Sequence, residues 1–214
     1  FIERPQLKAT IAQLAQKELT TLSYAANKMF TSLEKFSYDY AVWDATYDFV
    51  NKPSVKYIKE NFPADTFVSL KVDGVLIFDA QLKPIFTRGY HHKAQKPLEF
   101  IFQDFSLFPE NRKLAPLKLG NQKVPTKTGI VSTQHGPALF AATQVKRSDR
   151  TGQNNGFFIF IKLFDKETID ELAQYTLTQI TSEKVTPTTK NLNLKGWTNA
   201  GYKEDVTPYT QKFI

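Results

Sequence analysis

Three histidines are the residues of this sequence with the widest catalytic and metal-binding chemistry, and no cysteine accompanies them. His91 and His92 are adjacent, and His135 lies much further along the chain. Because neighbouring side chains of a strand point to opposite faces, we expect that His91 and His92 do not share one metal ion. The sequence contains no HExxH, GxSxG, GxGxxG or phosphate-binding loop motif. It therefore predicts no catalytic residue, no metal site and no cofactor.

A second group of side chains could contact a small molecule. Arg88 and Tyr90 share one face of a predicted strand because they are two residues apart. A buried arginine would favour an anionic ligand such as a carboxylate. The alternative is that Arg88 is exposed to solvent and that Trp43 belongs to the core. We predict ligand contacts at these two strand residues and at four more: Trp43 and Tyr47 on a predicted helix, and His135 and Phe140 near the start of a later strand.

The stretch Gly129–Ile180 organises the chain, and it predicts two strands followed by a helix. Apolar side chains alternate between two faces in Leu139–Val145. Phe157–Phe164 is apolar on both faces except at Lys162, which is typical of a central strand. Asp165 is the predicted N-cap of an amphipathic helix that continues to the end of the stretch. These elements predict an antiparallel sheet that is half covered by helices.

A long helical pattern spans Arg4–Val50. From Leu22 onward the apolar residues follow spacings of four and three, the heptad pattern of a helix that packs along another helix or along a dimer mate. The pattern must end before Pro53, and a bend at residues 37–39 would divide it into two helices. Its aromatic residues have two interpretations. Either they pack in the core, or those around Trp43 form a cap over the sheet that could contact a ligand.

The remaining elements follow from apolar density, alternation and turn residues. They are a helix Val55–Glu60 capped by Ser54, strands at Phe67–Asp79 and Pro84–Tyr90, a short helix at Pro97–Phe108, and short strands at Asn191–Leu194 and Val206–Ile214. This order predicts a helical segment 1–53, a sheet-containing core 54–180, and a C-terminal segment 181–214 whose strands complete or extend the sheet.

Composition and charge exclude several classes of protein. The chain has 214 residues, of which 41% are hydrophobic, so it can bury a sizeable core. Its net charge of +7 is scattered, and Asp149 interrupts the basic run from Lys146 to Arg150, so we expect no nucleic-acid partner. Spanning a bilayer takes about 20 apolar residues in a row, and the sequence contains no such stretch. The chain begins at Phe1 without an initiator methionine, and we expect it to be a piece of a longer membrane protein.

Three segments together resemble the fourth class of CHASE domain, the cyclase/histidine-kinase-associated sensory extracellular domains. The segments are VWDATYDFV at Val42–Val50, GVLIFDAQLKPIF at Gly74–Phe86, and GPALFAATQVKRSDRTGQNNGFFIFIKLFD at Gly136–Asp165. They follow the order of the family and cover roughly Phe36 to Ile180. The sequence departs from the family pattern at turn positions, with Leu82 and Arg150 where glycines are expected, Gln153 where a proline is expected, and Gln144-Val145 in place of Pro-Ile.

The resemblance implies an α+β fold of the PAS/Cache type, with an antiparallel sheet covered by helices and a long N-terminal stalk helix. It also implies a periplasmic or extracytoplasmic domain of a bacterial inner-membrane protein, anchored by flanking segments. Such a domain binds a small molecule and drives a cyclase, a phosphodiesterase or a histidine kinase, and here we expect a homodimer formed through the N-terminal helix. The alternative is a structural or dimerisation module without a small-molecule pocket.

Overall fold

The computed structural model describes residues 4–100, 124 and 126–175 of the chain. Its helices are α1 (Arg4–Ala41), α2 (Asp44–Asn51), α3 (Val55–Asn61), α4 (Ala64–Leu70) and α5 (Lys166–Ala173), and its strands are β1 (Gly74–Phe78), β2 (Pro84–His91), β3 (Lys96–Leu98), β4 (Thr126–Thr133), β5 (Gly136–Gln144) and β6 (Phe157–Leu163).

The strands form one six-stranded sheet in the order β3-β2-β1-β6-β5-β4. Every neighbouring pair is antiparallel. The two central strands, β1 and β6, are buried along their whole length, as expected for strands that are covered on both faces. The predicted class, an α+β fold with an antiparallel sheet covered by helices and a long N-terminal helix, is confirmed.

Helix α1 lies across one face of the sheet and contacts β4, β5 and β6. Its predicted apolar stripe faces the sheet, where Leu33 joins a core with Phe158 and Phe160. Phe36 and Tyr40 of the same stripe pack against this core. The segment Arg4–Val50 forms two helices, as a bend would require, but the break lies at Val42-Trp43, between α1 and α2, and not at residues 37–39. Ser37 stays helical since its hydroxyl finds partners across the interface, at 2.9 Å from Thr143 Oγ1 and 3.2 Å from the Phe158 carbonyl.

Helices α2, α3 and α4 lead from α1 into the sheet, and they correct one sequence prediction. Ser54 caps α3 as predicted, because its hydroxyl accepts from the Tyr57 amide. The predicted strand Phe67–Asp79 is wrong in its first half, since residues 64–70 are helical and only Gly74–Phe78 is a strand. Pro63 occupies the N-cap position of α4. Phe67, which belongs to this helix, is fully buried.

Edge strands account for two further differences between the prediction and the structure. Pro97 and Leu98, expected to begin a short helix, belong to β3, which pairs with β2. Pro97 is tolerated there because an edge strand does not need every amide for pairing. Glu99 and Phe100 of that predicted helix are not helical either, and residues 101–108 lie outside the described residues. Strand β4 was not predicted, and it pairs along its whole length with β5.

The alternation predicted for Leu139–Val145 is confirmed, and it separates two cores. Leu139, Ala141 and Val145 belong to the core beneath α1. Phe140 belongs to the core on the opposite face, with Ile159 and Ile161. Helix α5 follows β6 as predicted and begins at the predicted cap. The continuation of that helix to Ile180 and the strands proposed in 181–214 lie outside the described residues, and the division of the chain at 53/54 and 180/181 stays a prediction.

Candidate ligand-binding cleft

A cleft of about 350 Å³ opens at the end of the sheet where α1, β6 and α5 meet. Its apolar lining comes from α1, from the end of α4 and from Val72. Three charged groups of the lining lie close together: Lys71, Lys162 and Glu171. The full lining is Ala25, Lys28, Met29, Ser32, Leu33, Phe36, Ser69, Leu70, Lys71, Val72, Lys162, Glu171 and Tyr175.

The end of α4 shapes one side of the cleft. Lys71 is the C-cap of α4 and has a left-handed backbone, with φ of 54°, a conformation that commonly ends helices. The turn directs the Lys71 carbonyl to Lys162, whose Nζ donates to it over 3.3 Å. Val72 follows with its amide bonded to the Phe67 carbonyl at 3.1 Å. The helix end therefore supplies a hydrogen-bond acceptor inside the cleft.

Helix α5 supplies the opposite side. Asp165 begins the helix by accepting from the Thr168 amide at 2.8 Å, and the Thr168 hydroxyl donates back to the Leu163 carbonyl at 2.8 Å. These bonds fix how α5 leaves the central strand β6. Leu172 then packs against Ala25 and Ala26 of α1. The cleft is therefore walled by the first and last helices of the described chain, joined through a central strand.

Lys162 is the least usual residue of the cleft. It lies in the central strand, on the same face as Phe158 and Phe160, and only 8% of its side chain is exposed. Burial lowers the pKa of its ammonium, and the carboxylates of Glu171 and Asp73 offset part of that effect. Glu171 lies between two lysines, with Oε2 at 3.7 Å from Lys162 Nζ and Oε1 at 3.9 Å from Lys71 Nζ.

The predicted ligand contacts Trp43 and Tyr47 lie beyond the C-terminal end of α1, and neither lines the cleft. Trp43 is 39% exposed, and its ring contacts the rings of Tyr40 and Tyr57 at centroid distances of 6.5 and 6.2 Å. The ring of Tyr47 is covered by the guanidinium of Arg147, 4.4 Å from its centroid. Trp43 therefore lies at the edge of the aromatic core. It is neither a fully buried core residue nor a fully exposed one.

Arg88 and Tyr90 extend from β2 toward α3 and α4. Arg88 is partly buried, and its Nη1 donates to the Phe62 carbonyl over 2.7 Å. Its guanidinium lies 5.9 Å from the ring centroid of Phe67, and the Tyr90 ring contacts the same ring, also at 5.9 Å. Phe62 is the C-cap of α3, and carbonyls at a helix C-terminus have no partner within the helix. Arg88 therefore supplies the missing hydrogen-bond donor.

His135 and Phe140 lie on the far side of the sheet from α1. His135 occupies the turn between β4 and β5, with Nε2 at 2.8 Å from the Glu99 carbonyl and its ring 5.7 Å from that of Phe100. Phe140 is buried in the second core. The structure thus divides the six predicted residues between two faces of the sheet, and none of them lines the cleft. Their ligand-binding role stays a prediction.

The two adjacent histidines behave differently from the sequence prediction. His91 ends β2, and His92 lies in the following turn, so the alternation of a strand no longer separates them. Both rings approach Asp73, with Nδ1 at 3.7 Å for His91 and 2.7 Å for His92, and the three residues could hold a cation between them. The expectation that they point apart is wrong. Asp73 Oδ1 also accepts from the His92 amide and Oδ2 from the Leu163 amide, so it joins the ends of three strands.

The cleft residues were not singled out from the sequence, although one signal was present. Lys162 is the one charged residue in an otherwise apolar central strand. Lysine is almost never fully buried without a partner, so its position in such a strand indicates a buried polar site. Glu171 carried no comparable signal, because a glutamate on an amphipathic helix usually faces solvent.

The fold is that of solved sensory domains. The extracellular domain of vpHK1S-Z8, described as a histidine kinase, is similar with a TM-score of 0.51 at 14% identity, over 76% of this chain and 61% of that chain. A domain of a sensory box/GGDEF family protein from Vibrio parahaemolyticus is similar with a TM-score of 0.50 at 14% identity, over 76% of this chain and 64% of that chain. At this identity the likeness shows the fold alone.

Residues 25–183 match the model of the CHASE4 domain, and the chain belongs to this family of extracellular sensory domains. A curated relative is the methanogenesis regulatory histidine kinase FilI of Methanothrix harundinacea (strain 6Ac), 27% identical over 163 residues. The match covers 76% of this chain but only 18% of that kinase. The family predicted from three segments of the sequence is confirmed. A CHASE4 domain is sensory rather than catalytic, and none of the described helices is long and apolar enough to cross a membrane.

Proposed function

We propose that this chain is the extracytoplasmic ligand-sensing domain of a membrane-bound signalling protein, and that a small molecule in the cleft shifts α1 against α5. The output would be a histidine kinase, a diguanylate cyclase or a phosphodiesterase, carried by parts of the protein outside this sequence. Flanking segments would anchor it in the membrane.

The observation that carries this proposal is the position of the cleft. Its walls belong to α1, which extends over 38 residues or roughly 57 Å at 1.5 Å per residue, and to α5. A ligand that contacts both helices has a different affinity for each arrangement of the two, and this difference is what can shift a population. Since α1 also packs on the central strand β6 and on β5, a shift at the cleft would be transmitted along a rigid element.

A binding screen with a blocked cleft tests the proposal. The chain is heated with a panel of amino acids, carboxylic acids, sugars and nucleosides, and a ligand of the cleft is expected to raise the melting temperature. Ser32→Trp places a large ring at the cleft wall and should abolish that rise. Thr31→Trp is the matched control, because Thr31 is an exposed neighbour on α1 that does not line the cleft. Equal responses of the two variants would refute the cleft as the ligand site.

A distance measurement tests the movement itself. The chain contains no cysteine, so spin labels at Asn27→Cys on α1 and Asp170→Cys on α5 report the distance between these helices, and both positions are exposed. A compound that binds in the cleft is expected to shift this distance distribution, measured by electron paramagnetic resonance. An unchanged distribution with the cleft saturated would refute the signalling part of the proposal.

The dimer is a separate part of the proposal, and two exposed side chains on α1 favour it. Leu14 and Tyr24 are 57% and 72% exposed, and apolar side chains on a long helix are commonly covered by a partner helix. Sedimentation should show a dimer that the double variant Leu14→Glu/Tyr24→Glu converts to a monomer. A chain that binds its ligand and remains monomeric at high concentration would remove the dimer from the mechanism.

A further inference from the structure

The cleft holds a positive and a negative group side by side, and neither satisfies the other. Lys162 Nζ and Glu171 Oε2 are 3.7 Å apart, beyond the distance of a hydrogen bond. Glu171 Oε2 is buried, and among the described residues it has no hydrogen-bond partner. A lysine ammonium has three donors, and the described residues give Lys162 one acceptor, the Lys71 carbonyl. The pair therefore has unused donors and an unused acceptor at the wall of a cleft.

A purely structural ion pair would be expected to have a different geometry. A charge-assisted bond between an ammonium and a carboxylate closes to about 2.8 Å, and an ion pair in a protein interior offsets its desolvation only when the geometry is good. Here Glu171 is approached by Lys162 at 3.7 Å and by Lys71 at 3.9 Å. The three groups are close enough to act on one small molecule and too far apart to satisfy one another.

The rest of the cleft restricts the shape of that molecule. Because the ammonium of Lys162 and the carboxylate of Glu171 are 3.7 Å apart, a ligand whose acceptor and donor lie on neighbouring carbons can contact both. Met29, Leu33 and Phe36 form an apolar wall from α1, which favours an apolar side chain on the ligand. The cleft carries three lysines and one glutamate, so its net charge favours an anionic group.

We propose that the cleft binds an α-amino acid or an α-hydroxy acid with an apolar side chain. Its carboxylate accepts from Lys162 and Lys71, its α-amino or α-hydroxyl group donates to Glu171 Oε2, and its side chain packs against α1. This inference rests on the proposed function, since it assigns a ligand class to the same cleft.

A series with one carbon skeleton tests the two halves of the site separately. The probes are leucine, its α-hydroxy analogue, isocaproate, which lacks the donor, and isoamylamine, which lacks the carboxylate. Their binding to the 214-residue chain is measured by calorimetry at neutral pH. We expect leucine or its hydroxy analogue to bind, and isocaproate and isoamylamine to bind more weakly by about tenfold or more, because each leaves a buried group unpaired.

Variants assign the contacts. Lys162→Met should abolish binding of both acids, and Lys56→Met is its control, since Lys56 is exposed and lies outside the cleft. Glu171→Gln keeps an acceptor oxygen but loses the charge. It should therefore weaken the binding of leucine by about tenfold and the binding of the hydroxy acid by less. A larger loss for leucine identifies its ammonium as the group that donates to Glu171, whereas equal losses would overturn the contact between the ammonium and Glu171.

The outcomes separate this inference from the proposed function. Isocaproate binding as tightly as the two bifunctional acids would overturn the role of Glu171 and with it the inference. A complete absence of binding by all four probes would also overturn it. In either case a sugar or nucleoside whose effect is lost in Ser32→Trp but kept in Thr31→Trp would leave the sensor function standing. Failure of that broader panel would count against the function itself.

Discussion

The carboxylate of Asp73 should be the most important single polar group for stability in the described part of the chain. It is fully buried and accepts three hydrogen bonds, from the His92 amide at 3.0 Å, from His92 Nδ1 at 2.7 Å and from the Leu163 amide at 2.8 Å. Asp73→Asn removes the charge and turns an amide group toward at least one of these donors. Bonds to a charged group contribute about 1.5–3 kcal/mol each, and a donor left unpaired in the interior adds to the loss. We expect Asp73→Asn to lower the free energy of unfolding by about 3 kcal/mol at pH 7.

The effect should also depend on pH in a defined direction. Burial by itself would raise the pKa of Asp73, but the hydrogen bonds and charge of His92, with the Leu163 amide, outweigh it and leave the pKa below its ordinary value of 3.8. A carboxyl whose pKa is lower in the folded state contributes stability that is present above the unfolded pKa and is lost as the pH falls through the folded pKa. The difference between wild type and Asp73→Asn should therefore be constant down to about pH 4 and shrink below it.

Urea unfolding at a series of pH values measures both quantities. Asp39→Asn is the matched control, since Asp39 is exposed and its loss should change stability by less than about 0.5 kcal/mol. A loss below about 1 kcal/mol at pH 7 for Asp73→Asn would show that the network around Asp73 is not the main connection between these strands. A difference that persists undiminished well below pH 4 would refute the lowered pKa.

Three further substitutions probe the backbone and the buried lysine. Gly156→Ala should cost about 2 kcal/mol or more in urea unfolding, because φ is +129° and a Cβ would lie 2.0 Å from the Phe78 carbonyl oxygen; Gly152→Ala, with nothing closer than 3.6 Å, should cost clearly less. Leu82 has φ of 62°, so Leu82→Asn should raise the unfolding free energy by about 0.5 kcal/mol, whereas Leu82→Ala, which keeps the strain, should not. Lys162→Met should lower the unfolding free energy by about 2 kcal/mol, because it leaves the Glu171 carboxylate with the more distant Lys71 alone; Lys162→Met/Glu171→Leu, which removes both charges, should lose clearly less, and an equal loss in the two variants would refute this reasoning.

Local chemistry explains why several elements were predicted correctly. Asp165 caps α5 and Ser54 caps α3 because the side-chain oxygen of a cap bonds to an amide only three residues away. The positive φ of Leu82 and Arg150 agrees with the glycines that the family pattern has at these turns. Such features depend on neighbours in the sequence, so the sequence contains the information.

The sequence predictions that were wrong concern elements that depend on contacts with residues distant in the chain. The start of the predicted strand at Phe67 is a helix whose single fully buried aromatic packs into the sheet. Strand β4 is polar in composition and becomes a strand because β5 offers it a complete ladder of partners. His91 and His92 were expected to point apart, and the strand ends between them. In each case the deciding contact is made with a residue far away in the chain.

From the sequence alone came the α+β class, the alternation of β5, the long N-terminal helix and the sensory family, because periodicity, caps and ordered motifs are properties of short segments. Only the tertiary structure brought Lys162 of the central strand, Glu171 of α5 and the apolar side of α1 to one cleft. The spacing of these residues in the sequence does not predict that they lie close together, because their proximity results from how α1 and α5 pack across the end of the sheet.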